Sequence, residues 1–171
     1  MKLLIVVDMQ KDFIDGALGT KEAQNILPAV QAKIKQYKEK NFPVLFTRDT
    51  HSENYLQTQE GKRLPVTHCI KNTPGWQIDA SLDVAGAVLL DKPSFGSLAL
   101  ADYVKAHYPD VQEIELIGLC TDICVLSNAV ILKAAFPEVT ITVDGAACAG
   151  VTPQSHRNAL EAMKMCQIQV N

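Results

Sequence analysis

The stretch IGLCTDICVLSNA, residues 117–129, changes character part-way along. Together with the residues before it, IELIG (114–118) reads as a buried strand, and from Asp122 the apolar residues recur at helical spacing as far as Phe136. A strand that passes straight into a helix is half of a βαβ unit. The handover also carries two thiols, Cys120 and Cys124, four residues apart in otherwise apolar surroundings.

Outward from this point the same alternation repeats. LLIVVD (3–8), PVLFTRD (43–49), GAVLLD (86–91) and VTITVD (139–144) read as further strands, with QIQV near the C-terminus as a sixth. Helical patterns lie between them over 23–40, 97–107, 122–136 and 153–164, several opened by Ser, Asp or Thr-Pro. This order predicts an α/β fold in three layers, a doubly wound and mainly parallel sheet of five to six strands with helices on both faces. The 171 residues, 47% of them apolar, suffice for one core, and no repeat or linker divides them, so 1–171 is expected to form one domain. Only residues 51–76 lack periodicity over a length that suggests a functional loop.

Composition excludes several roles. Sixteen basic and nineteen acidic residues leave a formal charge of −3, with no basic run to meet nucleic acid. The apolar run at the N-terminus is short and ends at Asp8 without a cleavage site, and no segment is long enough to span a membrane. Five scattered cysteines do not form a disulfide framework, so reduced thiols and a cytoplasmic chain are expected. A homo-oligomer is left open.

Four strand patterns end in Asp: Asp8, Asp49, Asp91 and Asp144. Ligands of open parallel sheets bind beyond the carboxyl ends of the strands, where these residues would either line a site or cap the next element. Cys124 is the candidate nucleophile, because the first turn of the helix offers it backbone N–H groups and a favourable dipole. Asp8 and Lys92, each at the end of a strand, could supply the proton acceptor and the cation. Taken alone, Cys124 reads more readily as one of the many cysteines buried for packing, and its neighbours must change that reading. A redox pair with Cys120 is the competing chemistry, but the spacing is Cys-x3-Cys and the Gly-Leu-Cys-Thr-Asp start keeps Cys120 off the helix. In the loop, Asp49, His51, Glu60 and His68 are oxygen and imidazole donors suited to zinc, iron or manganese. His107 and His156 fall in helical patterns and are expected at the surface.

VDMQKDF (7–13), DKPSFGS (91–97) and GLCTDICV (118–125) resemble, in order, the three signature segments of the isochorismatase-like cysteine hydrolases. The resemblance covers nearly the whole chain. It implies that Asp8 is the general base and acid, Lys92 the steadying charge and Cys124 the nucleophile. It further implies that the backbone N–H groups of Cys120 and Cys124 form an oxyanion hole, with a cis peptide at 119–120. The loop donors Asp49, His51 and His68, with Glu60 as an acidic fourth, are similar to the metal site of the nicotinamidase/pyrazinamidase branch. Phe13 matches the aromatic that packs on the substrate ring there. Two departures concern the pocket: Leu64 stands nearest to where a bulky aromatic precedes the distal His, and Phe95 replaces a Tyr.

The resemblance thus implies a metal-containing cysteine amidohydrolase. Its expected reaction takes nicotinamide and water to nicotinate and ammonia through a Cys124 thioester. The expected cofactor is one divalent ion, zinc first, with iron or manganese as alternatives. The expected partner is a small amide. The alternatives are a hydrolase of the same fold acting on another amide, carbamoyl or ether substrate, and a non-catalytic protein that binds metal or a partner.

Overall fold

β1 (Lys2–Val7, KLLIVV) has no polar face after its first residue, so it can only exist covered on both sides. In the computed structural model, which describes residues 1–171, it lies near the centre of a six-stranded sheet, and Leu3 to Val7 are completely buried. The strand order is β3-β2-β1-β4-β5-β6, with β2 Val44–Asp49, β3 Val88–Lys92, β4 Glu113–Leu119, β5 Thr140–Ala149 and β6 Gln169–Val170. Every neighbouring pair is parallel, so the sheet is wholly parallel rather than mainly so. The C-terminal sixth strand is present.

Alternate residues of β1 feed two separate cores. Leu3, Ile5 and Val7 pack with α5 (Leu98–His107), α6 (Leu126–Ala135) and α7 (Pro153–Met165). Leu4 and Val6 face the other way, toward α1 (Lys11–Ile14), α2 (Lys21–Asn25) and α3 (Leu27–Glu39). The sheet is thus the middle of three layers. The chain winds from β1 outward to β2 and β3, then returns to place β4 on the other side of β1. That reversal makes the gap between the carboxyl ends of β1 and β4 the place where side chains from different strands can converge on a ligand.

Three elements differ from the expected ones. The helix expected over 23–40 is broken at Ile26, because Pro28 belongs in the first turn of a helix, and α3 starts afresh there. The helix expected from Asp122 opens as a π turn, Thr121–Val125, before α6 begins at Leu126. β5 extends to Ala149, past the expected end at Asp144, after a shift in its register with β4 between Leu116 and Gly118. Gly118 has φ +115, and a Cβ there would lie 2.2 Å from the Val7 carbonyl oxygen. Only glycine lets β4 end this close to β1.

The aperiodic stretch 51–76 holds the helical turns Tyr55–Gln57 and Pro74–Trp76 and the short helix α4 (Gln59–Arg63). An isolated bridge between His51 and Ile70 closes the stretch on itself, and a second, between Gln10 and Ile78 just past its end, returns the chain to the segment after β1. No helix is long and apolar enough to cross a membrane.

Candidate active site

Asp8 follows β1, Lys92 ends β3 and Cys124 lies in the π turn after β4, and the fold brings the three together at the carboxyl edge. Lys92 Nζ stands 2.6 Å from Asp8 Oδ2, donates to Cys124 Sγ at 3.4 Å and to the Ser94 carbonyl at 3.0 Å. All three side chains are almost completely buried. The ion pair leaves Asp8 Oδ2 without a well-aligned hydrogen bond, whereas Oδ1 accepts from the Thr47 hydroxyl at 2.6 Å. Asp8 itself has φ +48, in the left-handed region that Asp tolerates better than most side chains.

Burial dominates the protonation of this group. It raises the Asp8 carboxyl above the usual aspartate value, with Lys92 opposing and Asp49 adding to the rise. Burial also pushes the Cys124 thiol well up, helped by Asp8 and opposed by Lys92. Lys92 is desolvated too, yet the Asp8 carboxylate beside it outweighs that, with Asp49 adding to the effect, and keeps it cationic. Burial thus favours the protonated form of Cys124. A neutral thiol waits between a carboxylate and an ammonium group, which is an arrangement for moving its proton when a reactant arrives.

The second cluster lies beside the first. One ligand atom each from Asp49, His51, Glu60 and His68 falls within 4.8 Å of the others. His51 Nε2 is 2.9 Å from Asp49 Oδ2, and His68 Nε2 is 3.6 Å from the same oxygen. Glu60 Oε1 is 3.5 Å from His51 and 3.8 Å from His68. Burial alone would lower His68, but Asp49, the Val66 carbonyl and Glu60 together hold it above its ordinary value. Asp49 Oδ1 is buried without a hydrogen-bond partner, 3.6 Å from Lys92. Two imidazoles, two carboxylates and an unpaired buried oxygen fit a divalent ion, and the donor types suit zinc, iron or manganese.

Both clusters open into one cavity of about 290 Å³. Phe13, Leu64 and Phe95 all line it, as expected, and so do Cys120, Asp49, Glu60 and His68. The Phe13 ring lies 5.5 Å from that of His68. Leu18, Thr20, Ile123 and Val151 complete the wall and carried no sequence signal, being ordinary residues of turns and helix starts. Burial pushes the Cys120 thiol up to about 12, which makes it a poor second nucleophile. The Leu119–Cys120 peptide is cis.

Several supporting residues went unnoticed in the sequence. Gln10 is fully buried; its Nε2 donates to the carbonyls of Asp49 and Trp76 at 2.8 and 2.9 Å, and its Oε1 accepts from the Asp49 N–H at 2.7 Å. Its place two residues after Asp8 was the only available hint. Asn128 accepts from the Ser97 N–H and donates to the carbonyls of Phe95 and Cys124, joining the segment after Lys92 to the π turn. Asp91 and Asp144 stand apart from the site, paired with Arg48 at 2.8 Å and Lys33 at 2.8 Å. His107 is exposed, but His156 is half-buried and bonded to the Thr121 hydroxyl, so the surface expectation for it does not hold.

A model of the isochorismatase domain matches residues 2–170. The chain belongs to the isochorismatase family. Its similarity to solved members of that family extends end to end. The pyrazinamidase of Pyrococcus horikoshii in complex with zinc is 31% identical, covers 99% of this chain and 98% of its own, and superimposes with a TM-score of 0.85. The nicotinamidase/pyrazinamidase of Bacillus subtilis is 27% identical with the same coverage and a TM-score of 0.85. The nicotinamidase of Saccharomyces cerevisiae is 24% identical over 99% of both chains. The family and fold expected from the three motif segments therefore hold.

Proposed function

We propose that the protein is a metal-containing cysteine amidohydrolase, one domain over residues 1–171, that acts in the cytoplasm on nicotinamide, releasing nicotinate and ammonia. One observation carries this: Lys92 Nζ lies 2.6 Å from the Asp8 carboxylate and 3.4 Å from Cys124 Sγ, at the base of an apolar cavity walled on one side by metal-type ligands. The similarity to nicotinamidases and pyrazinamidases supports the choice of amide. Five free thiols support a reducing compartment.

Asp8 takes the Cys124 proton as Sγ attacks the amide carbon, and Lys92 offsets the negative charge that forms. Backbone N–H groups of Cys120 and Cys124 hold the tetrahedral oxyanion. Asp8 then passes its proton to the departing ammonia, which leaves a thioester on Cys124. Asp8 next draws a proton from water, whose oxygen attacks the thioester carbon; nicotinate leaves and the thiol is restored. Phe13, Leu64 and Phe95 give the ring apolar surface to pack on. Asp49, His51, Glu60 and His68 would hold a divalent ion, zinc first, which supplies a Lewis acid able to bind the pyridine nitrogen.

A different small amide is the second reading, favoured by Leu64 and Phe95, which stay partly exposed and leave the rim of the cavity wide. Ammonia release from nicotinamide, measured for the wild type, for Cys124→Ala and for protein stripped of metal and reloaded, separates these readings. Activity lost in both altered forms and recovered on reloading is expected. A loss of less than about tenfold in Cys124→Ala sinks the mechanism, since a nucleophile contributes several kcal/mol. Silence of metal-loaded wild type on nicotinamide, with turnover of another amide, favours the second reading.

A further inference from the structure

Cys120 is the single residue between β4, which ends at Leu119, and the π turn, which begins at Thr121. How its N–H points is set by how those two neighbours are held. Leu119 is paired with Ala149 of β5. Thr121 is completely buried, and its hydroxyl shares a 2.7 Å hydrogen bond with Nδ1 of His156 in α7. The next residue, Asp122, accepts the Val151 N–H at 3.2 Å. All three grips come from one short segment, 149–156.

That segment is itself closely fitted. Thr152 and Ser155 form a reciprocal cap at the start of α7, which fixes the turn carrying His156. Gly150 runs against it so tightly that a Cβ would sit 2.9 Å from the His156 Cα. The reaction proposed above has no use for an imidazole here, yet this one is aimed at a hydroxyl that no water reaches.

Resting on the hydrolase assignment, we infer that His156 is a positioning residue for the oxyanion site: through Thr121 it fixes the orientation of the Cys120 N–H. Without the bond, the Thr121 hydroxyl is left unpaired in the interior and turns to find another partner, carrying its neighbour with it. Phe13, Leu64 and Phe95, which pack on the reactant, come from other segments, and the His156 side chain is not on the cavity wall, so the loss is expected in the chemical step more than in capture.

The test needs a reactant that makes an oxyanion whatever the natural amide is. p-Nitrophenyl acetate serves: the Cys124 proton passes to Asp8, an S–C bond forms, the C–O bond to p-nitrophenolate breaks, and the nitrophenolate is counted after subtracting Cys124→Ala protein. His156→Ala and Thr121→Val are each expected to slow acylation by at least about tenfold, part of the roughly hundredfold that a misplacement of about 1 Å can cost. The double variant should be no slower than either, because both remove one interaction. His156→Asn, whose amide occupies the Nδ1 position, should recover most of the rate, and nicotinamide turnover should lose kcat with KM unchanged. If His156→Ala does not fold, Thr121→Val and His156→Asn still decide. Wild-type rates in the single variants, additive losses, or no recovery with Asn overturn the inference while leaving the hydrolase intact; an unreactive Cys124 in the wild type overturns both.

Discussion

At the scale of single residues, the site holds its charges against the preference of the interior. Asp8 and Lys92 are 0% and 1% exposed, and a buried ion pair recovers its desolvation cost only through close geometry. Lys92 is also what limits the rise of the Asp8 pKa. Activity needs the Asp8 carboxylate as proton acceptor, so kcat/KM is lost as pH falls through that raised value. The acid limb of the profile should therefore lie above the ordinary aspartate pKa of about 3.9. Lys92→Gln removes the one cation that lowers Asp8, so the limb should move to still higher pH while the plateau falls about a hundredfold. A kcat/KM profile of both proteins checks the sign; a limb that stays in place or moves down would show that Lys92 does not act on Asp8. The same residues show what the sequence could and could not disclose. Asp8, Lys92 and Cys124 stand in recognisable motifs, but the burial that raises the Cys124 thiol depends on packing between segments far apart in the chain.

At the scale of elements, the metal-type cluster depends on how strand ends are clamped to the loop. Asp49 ends β2, and Gln10 holds both its N–H and its carbonyl in the manner of a neighbouring strand while reaching the Trp76 carbonyl. Asp12 adds a second tie by accepting the Cys69 N–H at 2.8 Å, next to His68. Tyr55, from the first helical turn of the loop, packs against both imidazoles. Groups behind the ligands commonly tune metal affinity by about 10–100-fold, so Gln10→Ala should weaken zinc binding to that extent. Calorimetric titration of stripped protein measures it, and acylation of Cys124 should survive; affinity equal to wild type would mean that Asp49 is held without Gln10. The strands were legible because a doubly covered strand is apolar at every position. The loop was not, because Gln10 and Trp76 are 66 residues apart, and α4 is started by Thr58, a local cap in a stretch without period. The π turn was hidden for another reason: its residues carry an ordinary helical pattern, and the extra residue per turn shows in the backbone, where the Val125 N–H donates to the Cys120 carbonyl at 3.0 Å.

At the scale of the whole molecule, the distribution of charge selects what can enter. The chain carries a formal charge of −3, and every charged residue on the cavity wall other than His68 is a carboxylate. Lys92, the nearest cation, is matched by Asp8. A divalent ion would be formally balanced by Asp49 and Glu60, so away from its open coordination position no unpaired cation awaits an anionic reactant. Bringing a carboxylate into such a site costs its solvation with no partner to offset the loss. Neutral amides should therefore be turned over far better than analogues bearing a carboxylate on the ring or on the amide nitrogen, including N-carbamoyl amino acids. A penalty in kcat/KM of at least about a hundredfold is expected, corresponding to two or three kcal/mol. The product carries the same charge, so nicotinate should inhibit only at concentrations well above the KM for nicotinamide. Competition kinetics with nicotinate and with its neutral methyl ketone analogue separate charge from shape: equal inhibition by the two would show that the cavity does not discriminate by charge, and would return the carbamoyl amino acids to the list of reactants.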